Sequence, residues 1–230
     1  MEGYQKMANY RHEYKHEINT SDMITLTMRL NAAMKRDEYS SPDGTYAITS
    51  LYFDDVYDTA LKEKINGVDR RDKFRLRRYN DNVDTIKLEK KSKCDDLCLK
   101  ESATISGEDA KRIIAGDTEF LLKREEDVCR ELYCRMQQGL MPKTIVAYTR
   151  RAYTYPAGNV RVTLDYNIRM SPTPPDFLSL DALTVPAGDS KILLEVKWDE
   201  FLPDFIADLI FIPGRRSGSF SKYAQCRIYG

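Results

Sequence analysis

Polar and apolar side chains alternate along residues 72–79 and again along residues 85–93. Successive side chains of a β-strand point to opposite faces, so each segment predicts a strand with two different faces. One face of the pair carries Lys73, Arg75, Arg77, Lys87, Glu89 and Lys91. The other face carries Phe74, Leu76, Ile86 and Leu88. The intervening residues 80–82 favour a turn, so the two strands are predicted to form a β-hairpin.

The same alternation recurs in strands predicted elsewhere in the chain. These segments are residues 10–18, 46–54, 97–105, 142–153, 160–169 and 191–198. Their charged or polar faces carry Arg11, Glu13, Lys15, Lys100, Tyr148, Arg150, Arg161, Thr163, Asp165, Glu195 and Lys197. Like charges on neighbouring strands are destabilising unless water or an anion offsets them. The surroundings of these faces are therefore the main question that the sequence raises.

Helices are predicted between the strands from capping residues, apolar stripes and closing glycines. They cover about residues 20–34, 59–65, 109–115, 119–138 and 201–210, and a further C-terminal helix carries Ser221 and Lys222. Residues 1–8 read as a loose lead-in, and no long linker or repeat divides the chain. We therefore predict an α+β fold in a single domain over residues 1–230.

The net charge of the chain is zero, with 36 basic and 36 acidic residues. No global excess of cations attracts nucleic acid, so any basic site must be local. A run of about 18 apolar residues, the length that a transmembrane helix needs, does not occur, and the N-terminus lacks a signal-peptide core. We expect a cytoplasmic protein without nucleic-acid partners or direct membrane insertion; protein partners cannot be read from the sequence.

The histidines and cysteines do not predict a metal centre. His12 and His16 would share one helical face, but the surrounding alternation favours a strand instead. The five cysteines are not spaced as zinc-binding pairs. We expect free thiols in a reducing compartment.

Two interpretations of the charged faces remain open from the residues alone. They could face water on a one-sided sheet, or they could line a closed barrel that encloses a polyanion. Arginine is abundant on these faces, and its planar guanidinium matches phosphate oxygens. Isolated glutamates among the cations suit Mg²⁺ or Mn²⁺, which take carboxylate and phosphate oxygens as ligands.

Short motifs in the chain resemble, in the same order, those of the VTC domain, the polyphosphate polymerase domain of the vacuolar transporter chaperone complex. The motifs are Arg11-x-Glu13-x-Lys15, residues 50–54, Lys73-x-Arg75-x-Arg77-x-Tyr79, Glu89-x-Lys91, Tyr148-x-Arg150, residues 160–165, residues 194–197 and residues 221–223. The resemblance spans about residues 9–224. It implies the CYTH-like triphosphate tunnel fold, an antiparallel β-barrel tunnel of about eight strands with flanking helices. It also implies a free-standing form of the domain.

The resemblance also implies a set of site residues. Phosphate-binding catalytic residues would be Arg75, Arg77, Lys91, Arg150, Arg161 and Lys222. Further substrate-binding residues would be Lys15, Lys73, Tyr148, Lys197 and Ser221. The metal ligand would be Glu195, with Glu13 and Glu89 second. Two departures from the family pattern, Arg78 and Asn80, lie outside these sets.

The implied reaction transfers the γ-phosphate of ATP to a polyphosphate chain, with Mn²⁺ or Mg²⁺ as cofactor and with ATP and polyphosphate as binding partners. A P-loop motif is absent from the sequence, which excludes a P-loop ATPase. Two alternatives keep the tunnel. One is a metal-dependent hydrolase of tripolyphosphate or nucleoside triphosphates, and the other is a non-catalytic module that binds polyphosphate or inositol phosphates. A β-rich scaffold with solvated charges is the remaining alternative.

Overall fold

One curled antiparallel sheet forms the body of the protein. The computed structural model describes residues 11–94, 97–189, 191–215 and 217–229. The strands are β1 (His12–Ile18), β2 (Lys35–Arg36), β3 (Thr45–Asp54), β4 (Arg71–Tyr79), β5 (Thr85–Cys94), β6 (Leu97–Ser106), β7 (Met141–Tyr155), β8 (Val160–Ser171), β9 (Val185–Pro186) and β10 (Ile192–Trp198). Eight of them follow the order β1-β10-β8-β7-β3-β4-β5-β6, with β2 paired to β7 and β9 to β8. The predicted antiparallel tunnel architecture is confirmed.

Six helices flank the sheet within the described ranges. They are α1 (Thr20–Ala33), α2 (Thr59–Ile65), α3 (Gly107–Ile114), α4 (Asp127–Gln137), α5 (Asp204–Ile210) and α6 (Lys222–Tyr229). A capping box starts α1, because the Asn19 side chain accepts from the Asp22 N–H at 2.8 Å and the Asp22 side chain accepts from the Asn19 N–H at 3.1 Å. Helices α1, α3, α4 and α5 cover the apolar side of the strands.

The outward faces of the strands hold the two larger hydrophobic clusters. Helices α3 and α4 pack on the hairpin side, and α1 and α5 pack on the side of β8 and β10. The hairpin cluster includes Phe74, Leu76, Ile86, Leu88, Ile113 and Leu132. The second includes Leu26, Leu30, Val162, Leu164, Leu194, Val196 and Ile206. The predicted apolar faces are thus buried under helices, which leaves the charged faces on the concave side.

Helix α6 is the exception, because it packs against the inner face of the sheet. Tyr223 and Cys226 are buried beside Tyr52 and Val146 in a third cluster. The Tyr223 hydroxyl donates to Asp54. That carboxylate also accepts from backbone N–H groups of α2. The last strand residue of β3 therefore ties two helices to the sheet.

The tunnel has one seam, between β1 and β6. No ladder joins these two strands in the part of the chain that the structure describes. Instead, β1 pairs on its free edge with the segment before α6, through a bridge between His16 and Ser217 and a bond from the Gly218 N–H to the Lys15 carbonyl at 2.9 Å. Lys91 on β5 reaches across to Glu13 on β1 at 3.4 Å. Side chains and a short loop thus close the wall.

Two predicted helices differ from the structure. The segment 119–138 is divided into a 3-10 turn, Glu119–Lys123, and α4, with extended backbone at Arg124 and Glu126. In one continuous helix, Glu125 would lie on the apolar face between Leu121 and Val128; the break leaves Glu125 exposed. The predicted helix 201–210 begins later, at Asp204, because Pro203 disfavours helical backbone before it.

Some sequence predictions concern residues that the structure does not describe. The lead-in over residues 1–8 and the predicted first strand residue Tyr10 lie outside the described ranges, and so does the side chain of Cys94. Cys98, Cys129, Cys134 and Cys226 are free thiols.

Candidate active site

Glu89 on β5 lies at the centre of one group of charged residues inside the tunnel. Arg75 on β4 donates to it from Nε at 2.7 Å and contacts it again from Nη2 at 2.7 Å. Arg77 and Lys100 approach the same carboxylate at 3.5 and 3.2 Å. The hairpin register places Arg75 opposite Glu89, so the strand alternation itself brings these charges together.

The Glu89 carboxylate is ionised in spite of its burial. Burial alone would raise its pKa, but Arg75, Arg77 and Lys100 outweigh this effect and hold the pKa well below its usual range. Its oxygens already contact three cations. The structure therefore places this predicted metal ligand where it orients arginines, and its metal role stays a prediction.

Asp165 on β8 lies at the centre of a second group. Arg150 on β7 donates to both carboxylate oxygens, at 2.6 and 2.7 Å. Lys222, the first residue of α6, contacts the same carboxylate at 2.6 Å. Asp165 is fully buried. One carboxylate thus holds two of the predicted catalytic cations, from elements distant in sequence.

Tyr148 lies between the two groups. Its hydroxyl is 3.5 Å from Arg77 and 3.5 Å from Arg150. The Lys222 ammonium lies 4.6 Å from the centre of its ring, close enough for a cation–π contact. The cations of β4, β7 and α6 therefore converge on one enclosed space, and the interpretation of these faces as a solvated surface is excluded for them.

Carboxylates and ammonium groups alternate where β1 meets β10. Glu13 lies opposite Lys197, and Lys15 lies opposite Glu195. Glu13 also contacts Lys15, and Glu195 contacts Lys197. Burial raises the pKa of both glutamates, but the surrounding lysines outweigh it and lower both pKa values, that of Glu195 strongly. Both carboxylates therefore remain ionised at neutral pH.

This region is the part of the tunnel that best fits a divalent cation. Within the described ranges, no group of three or more His, Cys, Asp or Glu side chains could hold a metal ion. Mg²⁺ commonly binds through one or two carboxylates together with substrate phosphates. Glu195 and Glu13 supply two ionised carboxylates beside Lys15 and Lys197, so the residues present fit a divalent metal that shares its coordination with phosphate.

Arg161 and Lys73 lie toward the periphery of the interior. Arg161 donates to Asp37 at 2.7 Å and to the Tyr46 hydroxyl at 2.8 Å. Lys73 lies 5.3 Å from the centre of the Tyr223 ring, next to α6. Burial, followed by the neighbouring cations Lys64, Arg71 and Lys91, lowers the pKa of Lys73 to about 7.

Ser221 directly precedes α6. Its hydroxyl accepts a hydrogen bond from the Ala224 N–H at 3.3 Å, an N-cap interaction. The structure therefore gives Ser221 a role at the start of the helix, and its predicted contact with substrate stays a prediction.

Sequence reasoning did not select several residues that organise the site. The alternation placed Asp165 on the charged face with Arg161, but gave it no role in the site. Tyr52 accepts from Arg75 at 3.0 Å and could have been found from the alternation along its own strand. Asp37 lies in a loop after α1, where no periodic pattern marks it.

The chain is similar to several solved structures. A candidate adenylate cyclase from Bacillus halodurans superimposes with a TM-score of 0.54 at 13% identity, covering 86% of this chain and 84% of that chain. The PH1819 protein of Pyrococcus horikoshii OT3 gives 0.44 at 16% identity, covering 87% and 84%. The Mimivirus capping enzyme triphosphatase gives 0.39 at 13% identity, covering 89% and 87%. A sequence comparison with curated proteins finds no match.

The curled sheet and its cation-rich interior define a protein of the triphosphate tunnel class. The model of the VTC domain family matches residues 10–228. The chain belongs to this family, whose enzymes act on polyphosphate or triphosphate. None of the helices in the described part of the chain is long and apolar enough to cross a membrane.

Proposed function

We propose that this protein is a polyphosphate polymerase, which transfers the γ-phosphate of ATP to the end of a polyphosphate chain and releases ADP. The observation that carries the proposal is the convergence of Arg77, Arg150 and Lys222 on Tyr148 inside a walled space. A linear polyanion fits the row of cations that Lys73, Arg75 and Arg77 form along β4.

Positioning and charge stabilisation account for the proposed reaction. The terminal phosphate oxygen of the growing chain is the nucleophile, so no protein nucleophile or general base is needed. Arg75 would hold the transferred phosphoryl group, and Arg77, Arg150 and Lys222 would hold the neighbouring phosphates. These side chains are oriented in advance by Glu89 and Asp165, which lowers the cost of reorganisation during transfer.

A divalent cation would be held by Glu195 and Glu13. When bound, it would neutralise charge on the phosphate oxygens and on the departing ADP. Lys15 and Lys197 contact these carboxylates in the structure described. On arrival of a metal triphosphate, these lysines would be free to turn toward phosphate oxygens.

Hydrolysis of tripolyphosphate or of a nucleoside triphosphate is the second candidate function. The ionised pair Glu13 and Glu195 favours it, because two carboxylates in the wall could orient an attacking water. The same cations would hold the substrate in either reaction, so the tunnel alone does not select between a phosphate chain and water as acceptor.

The test is to incubate the purified protein with ATP and Mn²⁺ and to follow ADP, free phosphate and polymer separately. A polymerase gives ADP with little free phosphate, together with a polymer that exopolyphosphatase degrades. A hydrolase gives ADP and phosphate in equal amounts. Tight binding of tripolyphosphate without either product would identify a binding module and overturn both enzymatic proposals.

A further inference from the structure

Tyr79 is the last residue of β4 and ends a row of inward-facing side chains. Along β4, Lys73, Arg75, Arg77 and Tyr79 share the inner face. Lys73 contacts Tyr223 of α6, so Tyr79 marks the opposite end of the same row. The ring is 37% exposed, whereas Arg77 beside it is buried. The row of cations along β4 therefore ends in a partly exposed aromatic ring.

The neighbours of Tyr79 form a small aromatic and polar rim. The Tyr46 ring lies 6.2 Å from the Tyr79 ring at an interplanar angle of 52°. The Arg77 guanidinium lies 6.0 Å from the centre of the Tyr79 ring. Arg161 donates to the Tyr46 hydroxyl at 2.8 Å. One side of Tyr79 is thus supported by protein groups while the remaining surface stays open.

The backbone around Tyr79 is held in place on both sides. Asn80 has a φ of 49°, a left-handed conformation that asparagine tolerates better than most residues. The Asn80 side chain accepts from the Ala47 N–H at 2.9 Å. On the outer face, Arg78 donates to the carbonyls of Phe177 and Asn80, at 3.1 and 2.7 Å. A surface fixed in this way loses little entropy when a ligand packs on it.

We infer that Tyr79, supported by Tyr46, is a stacking surface for the base of a nucleoside triphosphate whose phosphates occupy the tunnel. Alternate residues of a strand are spaced by about 6.6–6.8 Å. If Arg77 binds the α-phosphate of a nucleotide, the sugar would therefore span the distance between the two residues, and the base would lie at the level of Tyr79. Every base has a flat face that stacks on an aromatic ring, and purines offer the larger one.

This inference rests on the proposed binding of triphosphate in the tunnel and adds a site that distinguishes ATP from inorganic tripolyphosphate. The experiment measures binding of a non-hydrolysable ATP analogue and of tripolyphosphate by calorimetry, for the wild-type protein, Tyr79→Leu and Tyr79→Phe. We expect Tyr79→Leu to raise the Kd of the ATP analogue by about five- to tenfold, the lower part of the range for loss of one stacked base. The Kd of tripolyphosphate should not change, and Tyr79→Phe should retain tight binding of the analogue.

The remaining outcomes separate this inference from the proposed function. If the wild-type protein binds neither ligand, the phosphate-binding tunnel itself is wrong. If the wild-type protein binds both ligands, and Tyr79→Leu weakens the binding of both equally or of neither, the stacking surface is wrong. The proposed phosphate-binding tunnel is then unaffected. Tyr57→Leu is the matched control, since Tyr57 is 73% exposed in the connection between β3 and α2 and should leave both affinities unchanged.

Discussion

Asp165 accepts two hydrogen bonds from Arg150, at 2.6 and 2.7 Å, in a site where the carboxylate has no exposed surface. The same carboxylate contacts Lys222 at 2.6 Å. A buried carboxylate shared by two cations fixes both of them before any substrate arrives. It also competes with substrate phosphate for the same cations, so its removal should affect stability and binding in opposite directions.

Asp165→Asn should destabilise the free protein by about 3–5 kcal/mol, because it leaves buried cations without their counter-charge. Tripolyphosphate can replace that charge, so it should raise the Tm of the variant more than that of the wild-type protein. Thermal unfolding with and without tripolyphosphate measures both effects. Equal shifts in the two proteins would contradict the shared-counterion explanation; Asp117→Asn on the exposed surface is the control.

The contact of Asp165 with Arg150 predicts that the stability of the protein depends on pH. Burial raises the pKa of Asp165, but Arg150 and Lys222 outweigh it and lower the pKa below its ordinary value. Its stabilising contribution is therefore complete above about pH 4, the unfolded-state pKa, and is lost as pH falls further through the folded-state pKa. Denaturant unfolding at several pH values should show the wild-type protein and Asp165→Asn converging in acid.

Arg75→Ala should lower the turnover of ATP by about 10²–10³-fold, comparable to the loss of one positioned donor to a developing charge. The fold should persist, because Glu89 keeps Arg77 and Lys100 within 3.5 and 3.2 Å. Circular dichroism and initial rates together check this prediction. Arg130→Ala, on the outer surface of α4, is the matched control. If Arg75→Ala retains the wild-type turnover, Arg75 does not take part in the reaction.

Lys73 should make polyanion binding depend on pH near neutrality. Its pKa is lowered to about 7 by burial and by neighbouring cations, so the ammonium is charged below pH 7 and increasingly neutral above it. Phosphate favours the charged form, and affinity should therefore fall as pH rises from 6 to 8. Calorimetry with tripolyphosphate at fixed ionic strength measures this change. Lys73→Gln should bind more weakly at pH 6 and show a flatter profile; an unchanged profile would contradict the assignment.

Glu195→Gln should weaken binding of Mn²⁺ to the protein–tripolyphosphate complex by at least about tenfold, since it removes one of two ionised ligand candidates. Electron paramagnetic resonance of free Mn²⁺ measures this directly, without any turnover. Glu17→Gln is the control, because Glu17 is 52% exposed and pairs with Lys191. If Glu195→Gln and Glu17→Gln retain the same Mn²⁺ affinity, the metal lies elsewhere.

Strand alternation made much of this molecule predictable. A period of two assigns Arg75 and Arg77 to one face and Phe74 and Leu76 to the other, and the structure places the first pair in the tunnel and the second in the core. The alternation of polar and apolar residues does not indicate which strands are neighbours in the sheet. The contact between Asp165, Arg150 and Lys222 joins β7, β8 and α6, so only the assembled sheet reveals it.

Local sequence was least informative where tertiary packing overrides helical periodicity. The segment 119–138 has enough apolar residues for one long helix, yet Glu125 would then enter the core. The chain is extended at Arg124 and Glu126 instead, and Arg124 donates to the Thr104 carbonyl at 2.9 Å. Thr104 lies 20 residues away, on strand β6. No periodic signal within the segment 119–138 indicates this contact.

No ladder joins β1 to β6 in the part of the chain that the structure describes, so strand pairing does not tie the tunnel wall at this point. A barrel in which every strand pairs on both sides can change its circumference only by breaking a ladder. Here the contact of Lys91 with Glu13 and the bond from the Gly218 N–H to the Lys15 carbonyl hold the wall instead. A change of width at this point would therefore break side-chain and loop contacts and leave every described ladder intact.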